Sequence, residues 1–138
     1  MLFNPAESID FNGNTGPFIQ YTYARIRSIV RKVEEGGHCL MEGAQLAVEL
    51  NDKERGVVKV LHALPDTVRQ AAAAYSPALI ANYAYDLAKA FNSFYQDTPI
   101  LREVKPELKA MRIMLCDAVA NAIKNTMDIL GIEVPERM

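Results

Sequence analysis

Apolar side chains recur at intervals of three and four residues through two long segments of this 138-residue chain. In the first segment they are Ile80, Tyr83, Ala84, Leu87, Phe91 and Phe94, and in the second they are Leu108, Met111, Leu115, Val119, Ala122, Thr126 and Ile129. This spacing is that of one face of an α-helix, whereas no segment alternates apolar and polar residues over the length of a strand. The pattern therefore predicts an all-α fold, a helical bundle of four to five helices with short connections.

Capping residues, first-turn prolines and terminal glycines predict where these helices begin and end. In chain order, the predicted helices run from Pro17 to about Glu35, from Asn51 through Leu64, from Pro65 through Tyr75, from Ser76-Pro77 to about Tyr95, and from Pro106 to about Leu130. Thr15 or Gly16 is expected to cap the first helix, and Gly36-Gly37 to end it. Asn51 and Glu54 predict a capping box, and the apolar face of that second helix is Val57, Val58, Leu61 and Leu64. The sequence leaves residues 38–50 ambiguous.

The composition predicts one domain preceded by an arm. Residues 1–15 are rich in Asn, Gly, Pro and Ser and predict an extended or turn-forming connector, and residues 16–138 are long enough for one packed core. No apolar run approaches the ~18 residues that cross a bilayer, and there is no charged and apolar leader, so neither a membrane partner nor secretion is expected. Cys39 and Cys116 form no CxxC pair. We therefore expect a cytoplasmic protein with free thiols.

The sequence contains no recognisable catalytic or metal-binding motif. Neither histidine, His38 nor His62, has a nucleophile beside it, and phosphate-loop, dinucleotide-binding, zinc-protease and nucleophile-elbow motifs are missing from the sequence. His38, Cys39, His62 and Cys116 have no spacing typical of a zinc site. No catalytic residue and no metal ligand is therefore predicted.

The segment GPFIQYTYARIRSIVRK, residues 16–32, concentrates three aromatic and four basic residues in a chain whose net charge is −2. On a helical wheel its core face is Ile19, Ile26, Val30 and Val33, with Thr22 and Ile29 at the margin. A neighbouring arc holds Phe18, Tyr21, Arg25 and Lys32, and the far side holds Arg27 and Arg31. Rings beside a guanidinium stack on unpaired bases and hold phosphates, so this arc indicates RNA binding. The alternative is that the rings extend the core and the arginines line a solvated flank.

Three stretches resemble one family. SIDFNGNTGPFIQYTYARIRSIVRK resembles the passage of arginyl-tRNA synthetases from the catalytic domain into the anticodon-binding domain, YSPALIANYAYDLAKAFNSFY resembles a central helix of that domain, and LGIEVPERM resembles the end of the family's chains. The likeness runs in order over nearly the whole chain. It implies the all-α, DALR-type fold of class I synthetases that binds the anticodon.

The resemblance also implies what the chain does not do alone. The HIGH-like and KMSKS-like motifs that handle ATP in such synthetases do not occur in this sequence. The chain is therefore expected to be a non-catalytic fragment without a cofactor, whose parent joins arginine to its tRNA with ATP and Mg²⁺. Its expected partners are tRNA(Arg) and the catalytic domain of the parent, to which residues 1–15 would connect.

Site residues follow from the resemblance position by position. The positions with which the family grips the anticodon loop match Phe18, Tyr21 and Arg25 on the first helix, Tyr95 at the end of the central helix, and Met138. Phe18 stands where other members have tyrosine, so the implied stacking remains but a hydroxyl contact is lost. Arg27, Arg31 and Lys32 are candidate phosphate contacts. The resemblance further implies a preference for cytosine in the middle of the anticodon.

A second interpretation keeps the fold and changes the function. Non-catalytic relatives use the same helical domain as a protein–protein interaction module, and the aromatic and basic face of the first helix would then dock a partner protein.

Overall fold

The computed structural model describes residues 2–8, 16–36 and 48–138, and every regular element in these ranges is an α-helix. The helices are α1 (Pro5–Ser8), α2 (Gly16–Glu35), α3 (Asp52–His62), α4 (Leu64–Ala73), α5 (Pro77–Asp97) and α6 (Pro106–Ile129). The all-α fold predicted from the apolar spacing is confirmed. Several predictions fall outside the described residues. They are the cap of α2 at Thr15, its end at Gly37, the side chains of His38 and Cys39, and most of the 1–15 arm.

Three long helices form the centre of the bundle, because α2, α5 and α6 pack against one another. The shorter α3 packs on α5 and α6, and α4 packs on α5. The stripe predicted for α5 is confirmed in full, since Ile80, Tyr83, Ala84, Leu87, Phe91 and Phe94 are all buried. The predicted core face of α2 is also confirmed, because Ile19, Ile26, Val30 and Val33 are buried together with Thr22 and Ile29.

Helix α6 is where the apolar spacing misplaces residues. Ile129, assigned to its buried stripe, is 58% exposed, and Cys116, Ile123 and Met127 fill the core instead. On α3, Val58 is likewise exposed although Val57 is fully buried. The predicted ends are close to the observed ones, and Gly131, whose φ of 74° favours glycine, follows α6 as expected.

The start of α3 confirms half of the predicted capping box. The side-chain oxygen of Asn51 accepts a 2.9 Å hydrogen bond from the backbone N–H of Glu54, as expected. The reciprocal half is wrong, because the Glu54 carboxylate is fully buried and pairs with Nε of Arg112 at 3.2 Å. Before α5, Ser76 is extended as a cap should be, but its side chain makes no capping hydrogen bond.

The N-terminal arm, predicted to be extended or turn-forming, contains one short helical element. Residues Pro5–Ser8 form a single helical turn, and the side-chain oxygen of Asn4 accepts a 3.1 Å hydrogen bond from Ala6 N. Among the described residues, no helix is both long and apolar enough to cross a membrane.

Candidate nucleic-acid interface

Arg25 on α2 is held between two tyrosine rings. Its guanidinium carbon lies 4.9 Å from the ring centre of Tyr21, one turn earlier on α2, and 5.1 Å from that of Tyr95 near the end of α5. Both tyrosines are 40% exposed, so part of each side chain stays accessible to solvent. Tyr95 is supported from behind by Phe91, whose ring centre is 6.1 Å away in a stacked arrangement. The cluster therefore presents one cation and two partly exposed rings, of which Tyr95 is supported by Phe91.

The position of Arg25 is fixed from below by a polar chain between α2 and α5. Nη1 of Arg25 donates a 2.8 Å hydrogen bond to Oδ1 of Asn92, and Nδ2 of Asn92 donates at 2.9 Å to Oγ1 of Thr22. The Thr22 hydroxyl is fully buried and donates to the carbonyl of Phe18 at 3.0 Å. Because Asn92 and Thr22 are each paired within this hydrogen-bonded row, rotation of the guanidinium would cost the partly buried Oδ1 of Asn92 its hydrogen bond.

A cleft of about 280 Å³ opens beside this cluster. Its walls are formed by three parts of the chain: Tyr21, Ala24, Arg25, Ser28, Ile29, Arg31 and Lys32 of α2, Tyr95 of α5 with Leu101 of the turn that follows, and Arg137 and Met138 of the C-terminal segment. Four of these side chains are basic, and none of the described residues that line the cleft has an acidic side chain. A concave surface lined by one sign of charge attracts the opposite sign, so the cleft favours an anion with flat apolar parts.

A second cavity of about 560 Å³ shares Tyr95 with the cleft. The turn from residue 96 to 102 and Ile29 line it, and Ile29, Tyr95 and Leu101 border both spaces. The turn is held in place by Arg112, whose Nη1 donates to the carbonyl of Pro99 at 2.6 Å and to the Glu103 carboxylate at 2.8 Å. Backbone hydrogen bonds from Lys105 and Val104 and the charge of Arg112 lower the pKa of Glu103.

The structure brings together most of the residues that the sequence assigned to the site. Tyr21, Arg25, Lys32, Tyr95 and Met138 all line the cleft, although α2, α5 and the C-terminal segment are far apart in sequence. Arg31 also lines it, although the helical wheel placed this residue on the far side of α2.

Phe18 and Arg27 lie elsewhere. Phe18 is half-buried, packs against the core, and its ring centre lies 5.6 Å from that of Tyr85. Arg27 pairs with the Glu136 carboxylate at 2.9 Å and lies 3.9 Å from that of Asp117. Neither residue lines the cleft.

Several residues were not assigned to the cleft from the sequence: Ala24, Ser28, Ile29, Leu101 and Arg137 line it, and Asn92, outside its wall, holds Arg25. Asn92 stands beside the apolar stripe of α5, and a polar residue in that position was the signal that could have identified it. Leu101 and Arg137 lie in segments without helical periodicity, so nothing local indicated that they border the same space as Arg25. Among the described residues, no group of His, Cys, Asp and Glu side chains is placed to hold a metal ion.

The chain corresponds to a known class of domain. A family model described as the DALR anticodon binding domain matches residues 19–138. The class is thus that of helical anticodon-binding domains, and the chain belongs to the DALR family of that class.

The individual relatives are larger proteins of one kind. An arginine–tRNA ligase of Parabacteroides distasonis is 55% identical over all 138 residues, which cover 23% of that protein. The arginyl-tRNA synthetase of Thermus thermophilus superposes on 99% of the chain with a TM-score of 0.87 and 31% identity, and that of Plasmodium falciparum does so with 0.76 and 26%. The chain spans about a quarter of the length of the relatives it matches.

Proposed function

We propose that this chain binds the anticodon loop of an arginine tRNA as one domain of an arginine–tRNA ligase. Support comes from membership of the DALR family and from full-length similarity of the chain to proteins named arginine–tRNA ligase. The observation that carries the proposal is the placement of Arg25 between the exposed rings of Tyr21 and Tyr95 at a basic cleft.

The cleft suits a single unstacked base. Its volume of about 280 Å³ is close to the ~300 Å³ lower limit of small-ligand pockets. A base that enters it can stack on Tyr21 or Tyr95, which is worth ~1–3 kcal/mol per base. Arg25 donates charge-assisted hydrogen bonds to an edge of the base or to its phosphate, and its direction is set before the RNA arrives. Met138 closes the cleft from the C-terminal side.

The remaining basic residues hold the RNA backbone. Lys32, Arg31 and Arg137 surround the cleft, and each can neutralise a phosphate that flanks the bound base. Phosphate contacts supply affinity without sequence preference, so the choice of base falls to Arg25 and the rings. Direct stacking by Phe18 and a phosphate contact of Arg27 stay predictions, and the two carboxylates beside the Arg27 guanidinium argue against the second.

In this proposal the chain positions the tRNA and performs no chemistry itself. Ligation of arginine, with ATP and Mg²⁺, is assigned to a catalytic domain of the longer protein, whose motifs are not in this sequence. Gripping the anticodon holds the distant acceptor end of the tRNA in that domain, which lowers the entropic cost of the reaction. The setting of this reaction would be the cytoplasm.

The test is binding of a fluorescent arginine-tRNA anticodon stem-loop to this chain, beside a stem-loop whose middle anticodon base is changed. We expect preference for the cognate loop and a linear fall of log affinity with log salt, of about 0.7–0.9 per phosphate neutralised. Tyr21→Ala and Arg25→Ala should weaken binding with the helical content unchanged. Arg69→Ala, which removes an exposed arginine of α4 that lines neither cleft, is the matched control.

Equal binding of the two stem-loops by the wild-type chain would contradict base recognition in this cleft. Absence of binding would contradict the proposal for this chain and would favour the protein–protein module. Equal weakening by Arg25→Ala and Arg69→Ala would show that only overall charge matters.

A further inference from the structure

The C-terminal segment, residues 132–138, is fastened along one face of α2. Nε2 of Gln20 donates a 2.8 Å hydrogen bond to the carbonyl of Glu133, and Nη1 of Arg31 donates at 3.1 Å to the carbonyl of Glu136. Gln20 and Arg31 lie three turns apart on α2, so the segment follows the helix toward the cleft. Ile132 is tied to the end of α6 by a 2.9 Å bond from its N–H to the carbonyl of Met127.

The carboxylate of Glu136 is the centre of this attachment. One oxygen accepts a 2.9 Å hydrogen bond from Nε of Arg27 and lies 3.7 Å from Nη1 of Arg31. The other accepts a 3.3 Å hydrogen bond from the hydroxyl of Tyr23, a residue whose ring is buried in the core. The hydrogen bond from Arg27 is also the main reason why the pKa of Glu136 is below its ordinary value.

Glu136 immediately precedes the two residues of the segment that line the cleft. Arg137 and Met138, the two residues that follow Glu136, line the cleft beside Arg25. Terminal residues are poorly ordered unless the chain is tied down, so fixing Glu136 limits the region that the side chains of Arg137 and Met138 can reach.

The same contacts limit what Arg27 can do. Its guanidinium faces two carboxylates, Glu136 at 2.9 Å and Asp117 at 3.9 Å. A cation already paired with two anions has little remaining attraction for a phosphate outside the cleft.

We propose that Glu136 is a positioning residue of the anticodon cleft. It fastens the C-terminal segment to α2 and thereby holds Arg137 and Met138 at the wall of the cleft, and Arg27 acts on the RNA only through this attachment. The inference rests on the proposed function, because it concerns the same cleft.

The experiment is a double-mutant cycle in the whole chain. The variants are Glu136→Ala, Arg27→Ala and the combination, and the probe is the fluorescent arginine-tRNA anticodon stem-loop. Because an exposed ion pair is worth up to ~1 kcal/mol, we expect each single variant to lose about fivefold in affinity and the double variant to lose no more. Preference for the cognate middle base should fall in all three. The salt slope of Arg27→Ala should match that of the wild type, because no phosphate contact is removed.

Two matched measurements separate positioning from general destabilisation. Glu133→Ala changes an exposed glutamate of the same segment that contacts α2 through its backbone carbonyl, and its affinity should equal that of the wild type. Backbone ¹⁵N order parameters of residues 132–138 without RNA should be lower in Glu136→Ala than in the wild type, while those of α5 are unchanged.

The outcomes discriminate between the possibilities. Losses that multiply in the double variant, or a salt slope reduced by about one phosphate in Arg27→Ala, would assign Arg27 to direct phosphate binding and overturn the proposal. Wild-type affinity and specificity in Glu136→Ala would overturn it as well. If the wild-type chain binds no stem-loop, the proposed function fails and the cleft role fails with it. Lower order parameters of the segment in Glu136→Ala would then still report the attachment itself.

Discussion

The side-chain oxygen of Asn92 on α5 accepts a 2.8 Å hydrogen bond from Nη1 of Arg25 on α2. The amide of Asn92 has only one orientation that fits, because its nitrogen donates at 2.9 Å both to Thr22 Oγ1 and to the carbonyl of Ala88. The oxygen must therefore face the guanidinium. One polar side chain beside the core thus directs the cation toward the place where Tyr21 and Tyr95 meet the cleft.

Removing this amide should weaken RNA binding without touching a residue of the cleft. A hydrogen bond to a charged group is worth ~1.5–3 kcal/mol, so we expect Asn92→Ala to lower affinity for the cognate stem-loop by about tenfold or more. Fluorescence anisotropy measures this loss, and thermal unfolding checks that the domain stays folded. Asn121→Ala, at an exposed position of α6, is the control. Unchanged affinity of Asn92→Ala would mean that Arg25 finds its place without this partner.

The buried faces of α2 and α5 could be predicted because burial is imposed on a whole helical face. Every turn of α5 between Ile80 and Phe94 meets another helix, so the period of 3.6 residues appears undisturbed. The α6 stripe ends early, and Ile129 at its last turn is exposed. Periodicity along one helix contains no information about where its neighbours stop.

Contacts between distant segments could not be predicted in the same way. Glu54 has the position of a capping-box residue, yet its carboxylate is buried against Arg112, which follows it by 58 residues. The cleft is likewise formed by segments that are distant in sequence. Arg137 lines the same cleft as Arg25 because the C-terminal segment runs along α2. The resemblance to a family placed Tyr95 and Met138 near the first helix, which local patterns did not.

The core assignment of α2 predicts a large difference between two isoleucines. Ile26 is fully buried whereas Ile129 is 58% exposed. We expect Ile26→Ala to lower the free energy of unfolding by ~2–5 kcal/mol, because it leaves a cavity in the packed core. Ile129→Ala should change it by less than ~0.5 kcal/mol. Urea denaturation followed by circular dichroism measures both. Equal effects of the two substitutions would contradict the packing of α2 against α5 and α6.

The buried ion pair of α3 and α6 predicts a large cost for removing one partner. Arg112 pairs with Glu54 and Glu103, and one oxygen of Glu54 has no hydrogen-bond partner among the described residues. Arg112→Met should destabilise the domain by ~3–5 kcal/mol, because the carboxylate of Glu54 is left in the core without its counter-charge.

Most of the stability lost in Arg112→Met should return when the buried charge of Glu54 is removed as well. We expect the double variant Arg112→Met with Glu54→Leu to unfold at a higher urea concentration than Arg112→Met alone, since neither charge remains in the core. Arg69→Met, at an exposed position of α4, controls for loss of an arginine. A double variant less stable than the single one would show that Glu54 contributes through packing rather than through its charge.

The attachment of the C-terminal segment predicts a specific dependence of stability on pH. Arg27, first through its hydrogen bond, lowers the pKa of Glu136 in the folded state. The other groups near this carboxylate are Tyr23 and Arg31, and Asp117 lies beyond Arg27. Because the pKa is lower in the folded state, the ionised carboxylate stabilises the fold above its unfolded value of about 4.3, and this contribution is lost as the pH falls through the folded-state pKa.

Urea denaturation of the wild type and of Glu136→Gln from pH 7 to pH 3 measures this contribution. We expect the wild type to be the more stable of the two at pH 7, and the difference to shrink below about pH 4.5, because the wild-type carboxyl then becomes neutral as well. Glu133→Gln, in the same segment, should follow the wild-type curve throughout. A difference between wild type and Glu136→Gln that stays constant down to pH 3 would show that the charge of Glu136 does not hold the segment on α2.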